Sequence, residues 1–322
     1  MTAAVVVDAA GARMGGAARY LHELRGYLGR TGRSDVQVIG SQRRVTPGWL
    51  VRRELAGGPR DRRVALNNVG FVARGGQRWT LLRNALHFLT EAEEAVLCPA
   101  AVPASVCRDA RAVRLAARRS DVIVVPSTAM AARVTAVEPG LRGRIVVRAH
   151  PVSADPPPRP PRAPMIICPV LFAPYKQMAE RIGGLLQAVS ELGDASVRVL
   201  VTAERAEVPA AIAGHPRTRL AGRLPYAELR ALRARSRAIY FPTDLESFGY
   251  PLAEARVSGQ PVIACDTEQN REIAGPALCG YVPGDPGSLR RAVARALTAD
   301  VAPDPAPFDP DRYFGWLLGE PR

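Results

Sequence analysis

Both halves of this chain repeat one pattern, in which short unbroken apolar runs are followed by apolar residues at helical spacing. The first run is Ala3–Asp8 (AAVVVD). It has no polar alternation, so both of its faces are expected to be covered, as in a parallel sheet. Gly11–Gly16 (GARMGG) follows, and then Tyr20, Leu21, Leu24, Tyr27 and Leu28 recur at the spacing of a helix. Strand, glycine loop and helix in that order open a doubly wound α/β domain. Further strands are expected at Val36–Gly40, Val64–Val69, Trp79–Asn84, Val122–Pro126 and Ile145–Arg148. Helices are expected over Ala112–Arg119 and over Thr128–Val137, the second capped by Ser127.

Pro151–Pro164 (PVSADPPPRPPRAP) interrupts this grammar with seven prolines and no period. Such a stretch cannot enter a helix interior or a sheet, and it reads as a stiff linker. The pattern then restarts. Strands are expected at Met165–Leu171, Val197–Thr202, Ala238–Phe241 and Pro261–Cys265, and helices over 178–192, 226–236, 251–258 and 288–298. The division predicted is an N-terminal domain over 1–154, a linker over 155–164, a C-terminal domain over 165–302 and a tail over 303–322. Two α/β domains joined in this way enclose a cleft, a usual place for a ligand.

Composition narrows the function. At 322 residues and 47% apolar content the chain suits two globular domains. No apolar run reaches the ~18–20 residues of a membrane span; the longest, Ala95–Cys107, is broken by Pro99 and Pro103. Asp8 stands where a secretory leader needs apolar residues, so a cytoplasmic protein is expected, peripheral at the inner membrane face at most. The five cysteines are odd in number and scattered, which predicts reduced thiols rather than a disulfide framework or a zinc site. Residues 1–150 hold 24 arginines against 11 acidic residues, whereas residues 151–322 hold 20 basic against 19 acidic ones. The excess of +14 therefore sits in the first half, where an anionic partner is expected. Lys176 is the single lysine.

The chemistry concentrates at Glu246-Ser-Phe-Gly-Tyr-Pro-Leu-Ala-Glu254. With 16 glutamates, two of them eight apart are expected about once by chance, so the context has to carry the motif. Glu246 follows the strand ending near Phe241, Gly249 permits close backbone approach, and Pro251 suits a helix first turn. A helix N-terminus beside a strand's carboxyl end attracts phosphate. A carboxylate one turn into that helix, Glu254, suits a vicinal diol.

The run Asp244–Asp266 (DLESFGYPLAEARVSGQPVIACD) resembles the donor-site signature of retaining GT-B glycosyltransferases, glycosyltransferase family 4. Asp121–Ser127, Gly15-Gly16 and Gly275–Pro286 resemble other segments of that family, so the likeness covers most of the chain. It implies two Rossmann-like domains facing a cleft, with the acceptor in the first and the nucleotide sugar in the second. It also implies hexosyl transfer with retention, without a metal or other cofactor. Glu254 would hold the ribose hydroxyls, Glu246 would face the sugar, and the backbone from Phe248 through Gly249, Tyr250 and Pro251 to Leu252 would meet sugar and pyrophosphate. Arg223 would lie near the base, Gly15 and Gly16 near donor phosphate or acceptor, and the tail cluster around Tyr313 and Trp316 against the first domain.

The family pairs an arginine with a lysine five positions on, both on the diphosphate. Lys176 matches the lysine, but Leu171 stands where the arginine belongs, with Val170 beside it. His87, in the loop after a strand, occupies the place of a residue near the reacting sugar, or else is a structural histidine. Seven arginines within Arg43–Arg63, interleaved with Trp49, Leu50, Val51 and Leu55, form an acceptor-side or membrane-surface patch, or else a solvated basic loop. No aromatic series or basic recognition helix marks a specific nucleic-acid site. The G-x-G-x-x-G fingerprint of dinucleotide binding is absent. Polysaccharide assembly and secondary-metabolite (antibiotic) glycosylation in a GC-rich bacterium are the uses implied. The alternatives are a non-catalytic sugar-nucleotide-binding protein, motivated by Leu171, and a GT-B sugar-nucleotide epimerase.

Overall fold

The computed structural model describes residues 5–13, 15–56, 62–73, 75–100, 102–154, 162–169, 172 and 174–319. The chain divides into two compact units. Met1–Ser153, Glu246–Phe248 and Pro307–Arg322 form one; Ala154–Leu245 and Gly249–Ala306 form the other. Each is built on a parallel six-stranded sheet.

In the first unit β1 (Val5–Asp8) leads through α1 (Gly15–Thr31), β2 (Val36–Ile39) and α2 (Pro47–Arg53) to β3 (Arg62–Ala65) and β4 (Arg78–Leu81). Then come α3 (Glu91–Ala100), α4 (Ala104–Ala117), β5 (Val122–Val125), α5 (Thr128–Val137) and β6 (Ile145–Val147). The strand order is β2-β1-β3-β4-β5-β6. Val7 is opposite Val38 on one side and Val64 on the other, and β1 is buried along its whole length. Helix α1 buries Tyr20, Leu21, Leu24 and Tyr27, the apolar stripe of the sequence.

The second unit runs β7 (Ala163–Cys168), α6 (Met178–Glu191), β8 (Arg198–Val201), α7 (Ala210–Ala213), β9 (Thr218–Leu220), α8 (Tyr226–Arg235) and β10 (Ser236–Phe241). It continues through α9 (Tyr250–Ser258), β11 (Val262–Cys265), α10 (Glu268–Ala274), β12 (Leu278–Tyr281) and α11 (Pro286–Thr298). Its order is β12-β11-β10-β7-β8-β9. The chain ends on α12 (Pro310–Leu318), part of the first unit, where Phe314 lies edge-on to Tyr20 at 5.5 Å and against Tyr27 at 5.4 Å. Among the described residues no helix is long and apolar enough to cross a membrane.

Several expectations need correction. β3 and β4 stop at Ala65 and Leu81, before Val69 and Asn84, because asparagine side chains take over the backbone pairing. Asn68, at a φ of 67°, accepts the Arg83 amide at 2.6 Å; Asn84 accepts the Leu86 amide at 3.1 Å and starts a 3-10 turn over Ala85–Phe88. β7 begins at Ala163, inside the stretch expected as linker, whose residues 155–161 lie outside the described residues. The units divide at Ser153/Ala154 and again at Ala306/Pro307, and Glu246–Phe248 groups with the first unit rather than with the domain over 165–302. Cys98 and Cys107 form a disulfide between α3 and α4, contrary to the expectation of reduced thiols. The chain folds back between those helices and brings two cysteines nine positions apart to a Cα separation of 6.5 Å.

One polar knot sits inside the first unit. Asp8, at the end of β1, has no exposed surface. Its carboxylate accepts from Arg53 Nη1 at 2.6 Å, Asn67 Nδ2 at 2.8 Å, Trp49 Nε1 at 3.1 Å and the Ala10 amide at 3.0 Å. Arg53 also donates to the carbonyls of Val69 at 2.8 Å and Gly70 at 2.7 Å, tying α2 to the chain after β3. Removing one partner of a buried ion pair strands the other. Asp8→Ala is therefore expected to lower the unfolding free energy by about 3–5 kcal/mol in urea titrations. Asp311→Ala, which opens the exposed pair with Arg30 at 2.6 Å, is expected to cost less than about 1 kcal/mol. Equal effects would contradict this assignment.

Candidate functional site

In the second unit the strand order reverses between β7 and β10. Chain leaving one of these strands turns to one side and chain leaving the other turns to the opposite side, which opens a crevice at their carboxyl ends. The segment after β7 carries Lys176, at the end of a 3-10 turn over Pro174–Lys176. Its ammonium lies 6.0 Å from the ring centre of Phe241, the last residue of β10, and 5.7 Å from that of Tyr175. Val170 and Leu171, where the resemblance has an arginine, lie outside the described residues.

Gly249 starts α9 in the left-handed region, at a φ of 79°. A Cβ there would stand 2.8 Å from Leu252 Cδ1 and 3.1 Å from Phe241 Cε1, so only glycine permits this entry. Pro251 falls in the first turn and no side chain caps the helix. Phe241 is thus the shared neighbour of Lys176 and the start of α9.

Glu254 is buried and held from two sides. Tyr226 OH donates to Oε1 at 3.0 Å, and Arg233 pairs with Oε2. Arg233 is itself fixed, because Gln260 Nε2 donates to its carbonyl at 2.9 Å and to that of Ser236 at 2.6 Å. The sequence reading found Glu254 but neither Tyr226 nor Arg233, which come from α8 and carry no motif. Arg223 is exposed, with its guanidinium on Glu207 and its amide donating to Glu204 Oε1 at 3.0 Å.

A second cation was also missed. Arg181, in the first turn of α6, donates to the Pro242 carbonyl, to Cys265 Sγ at 3.3 Å and to Asp244 Oδ2 at 2.7 Å. Burial opposes its charge, but the Asp244 carboxylate more than compensates and raises its pKa above the ordinary arginine value. It fixes the segment that leaves β10 toward Glu246. The signal was its place five residues after Lys176, the reverse of the family's order.

The remaining expected residues lie in the first unit. Gly15 and Gly16 begin α1 and are exposed, and Gly15 has a φ of 55°. In the tripeptide Glu246–Phe248, Ser247 Oγ donates to the Arg83 carbonyl at 2.6 Å, and Ser127 Oγ donates to the Ser247 carbonyl at 3.0 Å. Phe248 is buried, its ring 5.0 Å from His150 and 6.1 Å from Phe308. Glu246 is half-buried.

His87, expected in an open loop near the reacting sugar, is only 8% exposed and lies within the 3-10 turn. Its Nε2 is 3.4 Å from Asn84 Nδ2, and its Nδ1 has no partner among the described residues. Burial pushes its pKa down to about 4; Asp109 opposes and Arg114 adds to the shift. Between about pH 6.5 and 4 the unfolded chain binds a proton here that the folded chain refuses, so stability falls as pH drops through that window and is flat above it. His87→Gln is expected to remove on the order of 3 kcal/mol of this acid dependence, read from denaturation midpoints between pH 4 and 7. An unchanged pH profile would contradict the burial.

Comparison with known proteins sets this geometry in context. Residues 170–299 match the family model Glycosyl transferases group 1. No curated protein matches the sequence. Among solved structures the chain is similar to sucrose-phosphate synthase from Thermosynechococcus elongatus, at 14% identity and a TM-score of 0.65, covering 98% of this chain and 94% of that one. It is similar to a UDP-forming α,α-trehalose-phosphate synthase from Burkholderia vietnamiensis, at 12% identity and 0.62, covering 98% and 96%. Anabaena HepE in complex with UDP and glucose gives 13% identity and 0.61, covering 98% and 95%. Similarity to TarM, at 12% identity and 0.54, covers 80% of this chain but only 50% of that protein, so the chain spans half its length. The chain has the GT-B fold of these neighbours, and within its second unit residues 170–299 are similar to the Glycosyl transferases group 1 family.

Proposed function

We propose that this chain transfers a hexosyl group from a nucleoside-diphosphate sugar to an acceptor hydroxyl with retention of anomeric configuration. The observation that carries the reading is the convergence of Lys176 and the uncapped start of α9 on Phe241 at the sheet's switch point. A helix N-terminus and an ammonium are the groups that stabilise a departing diphosphate. Glu254, oriented by Tyr226 and Arg233, holds the ribose hydroxyls one turn further along α9. As the bond between the anomeric carbon and the diphosphate oxygen breaks, the acceptor oxygen bonds to that carbon on the same face. The acceptor proton passes to the departing phosphate oxygen. His87 is then a buried structural residue rather than a base, since an imidazole with a pKa near 4 is a weak proton acceptor. The charge on the leaving group falls to protein cations and backbone dipoles without a metal. Bacterial polysaccharide or secondary-metabolite biosynthesis is the setting proposed.

Leu171 favours one second reading, sugar-nucleotide binding without turnover. Under the catalytic reading Arg181 contributes to the positive field at the same end of the sheet while holding the Asp244 segment in place.

The test is a thermal-shift and calorimetric panel of UDP, GDP, ADP and dTDP, their monophosphates and their sugars. One diphosphate is expected to stabilise the wild type. Lys176→Ala is expected to weaken that diphosphate about tenfold or more while leaving the monophosphate nearly unchanged. Glu254→Gln, which keeps the shape of the buried side chain, is expected to weaken both. If no nucleotide binds the wild type, the reading fails. Binding without transfer to any hydroxyl or to water would favour the second reading.

A further inference from the structure

Helix α3 sits on the surface, and from Glu91 to Cys98 every side chain is exposed or half-buried. A helix of ten residues does not hold together on propensity alone, so it depends on ties to its neighbours. The ties of its first turn are ionic. Glu93 pairs with Arg133 of α5 at 2.6 Å, and Glu94 pairs with Arg114 of α4 at 2.7 Å. Its second half offers no charge: Ala95, Val96 and Leu97 follow, and Val96 is 69% exposed. There the tie is covalent. The Cys98–Cys107 disulfide joins the last turn of α3 to the first turn of α4.

The two arginines do more than meet glutamates. Arg114 Nε donates to the His87 carbonyl at 2.8 Å, and its Nη2 donates to the Leu89 carbonyl at 3.4 Å. Arg133 Nη1 donates to the Phe88 carbonyl at 3.3 Å. Three successive carbonyls at the end of the 3-10 turn over Ala85–Phe88 are thus held by cations that α3 orients. Two residues before that turn, the Arg83 carbonyl accepts Ser247 Oγ at 2.6 Å. Ser127, the cap of α5, donates to the Ser247 carbonyl at 3.0 Å. An unbroken series of contacts therefore runs from the disulfide to the Glu246–Phe248 tripeptide, all within the first unit.

We propose that Cys98 and Cys107 form a thiol–disulfide switch that sets the order of this series. Closed, it keeps α3 docked and the turn over Ala85–Phe88 clamped. Open, it leaves α3 on partly exposed ion pairs, which contribute little by themselves, and the turn and its hold on Ser247 loosen. The switch needs no ligand, so it stands apart from the glycosyltransferase reading. The reductant is a dithiol. One of its thiolates attacks a sulfur of the bridge, forming a mixed disulfide and releasing the other cysteine as a thiolate. The second thiol of the reductant then attacks that mixed disulfide and frees the remaining cysteine. The protein gains two electrons and two protons as two thiols, and the reductant leaves as its own disulfide. Cys98 and Cys107 are half-buried and within reach of such a thiolate, whereas Cys168, Cys265 and Cys279 are buried.

The test is hydrogen exchange by mass spectrometry on the full chain, first oxidised with glutathione disulfide, then reduced with dithiothreitol, then reoxidised. Maleimide labelling of the native protein is expected to rise from none to two thiols on reduction. Amide exchange over 91–100 and 85–89 is expected to rise about tenfold or more, with a rise over 246–248 as well, and to return on reoxidation. Exchange in α11 of the second unit and in β1 is expected to stay unchanged. Cys98→Ser/Cys107→Ser is expected to match the reduced wild type and to ignore dithiothreitol. A bridge that does not form under glutathione disulfide overturns the proposal. So does reduction that leaves 85–89 unchanged, because the disulfide would then staple only its own hairpin. An equal rise in β1 overturns it too, since it would report lost global stability rather than a local release.

Discussion

A carboxylate taken out of water has to be met by a cation and by hydrogen-bond donors, or the fold that buries it is lost. Among the described residues, each unit meets that demand beside the carboxyl edge of its sheet with an arginine. Arg53 meets Asp8 in the first, and Arg233 meets Glu254 in the second. Neither pair needs to add to stability; its effect is on position. Asp8 fixes Trp49 on α2, and Glu254 is fixed one turn into the helix that begins at Gly249.

The two units use the same architecture for different charge problems. In the second, positive potential gathers at the β7/β10 reversal from Lys176, the start of α9 and Arg181, while the rest of that half is nearly neutral overall. In the first, arginine is abundant, and several, Arg25, Arg43, Arg44 and Arg52 among them, have no carboxylate against them among the described residues. Elsewhere in that unit Arg33 pairs with Asp35, Arg78 with Asp121 and Arg114 with Glu94. Net charge alone could not have separated these cases, because paired and unpaired arginines look alike in a sequence.

Much of the fold was legible because parallel strands covered on both faces are written as plain apolar runs: Val5–Val7, Ile123–Val125 and Val262–Cys265 stand out at once. Short edge strands such as Thr218–Leu220 were not, since three half-covered residues carry no period. Helix α3 was missed although Thr90 and Glu93 form a capping box at its start, Thr90 donating to Glu93 Oε2 at 2.9 Å. The donor motif is confined to one segment, while Tyr226, Arg233 and Arg181, which hold its side chains and the chain leading into it, lie on other helices and become visible only in three dimensions. The burial of His87 was not legible, because strand β4 ends three residues earlier than its apolar pattern suggests and the turn that follows covers the imidazole. The disulfide escaped for a similar reason: spacing in sequence does not show that α3 and α4 fold back on each other.

The central claim is that the switch point of the second sheet holds a nucleoside diphosphate. A crystal structure of the chain soaked with the nucleoside diphosphate that stabilises it most tests this directly. The account predicts diphosphate density within hydrogen-bond reach of Lys176 Nζ and the first-turn amides of α9, with the ribose hydroxyls on the Glu254 carboxylate. A nucleotide bound with its diphosphate away from both Lys176 and α9 would contradict it.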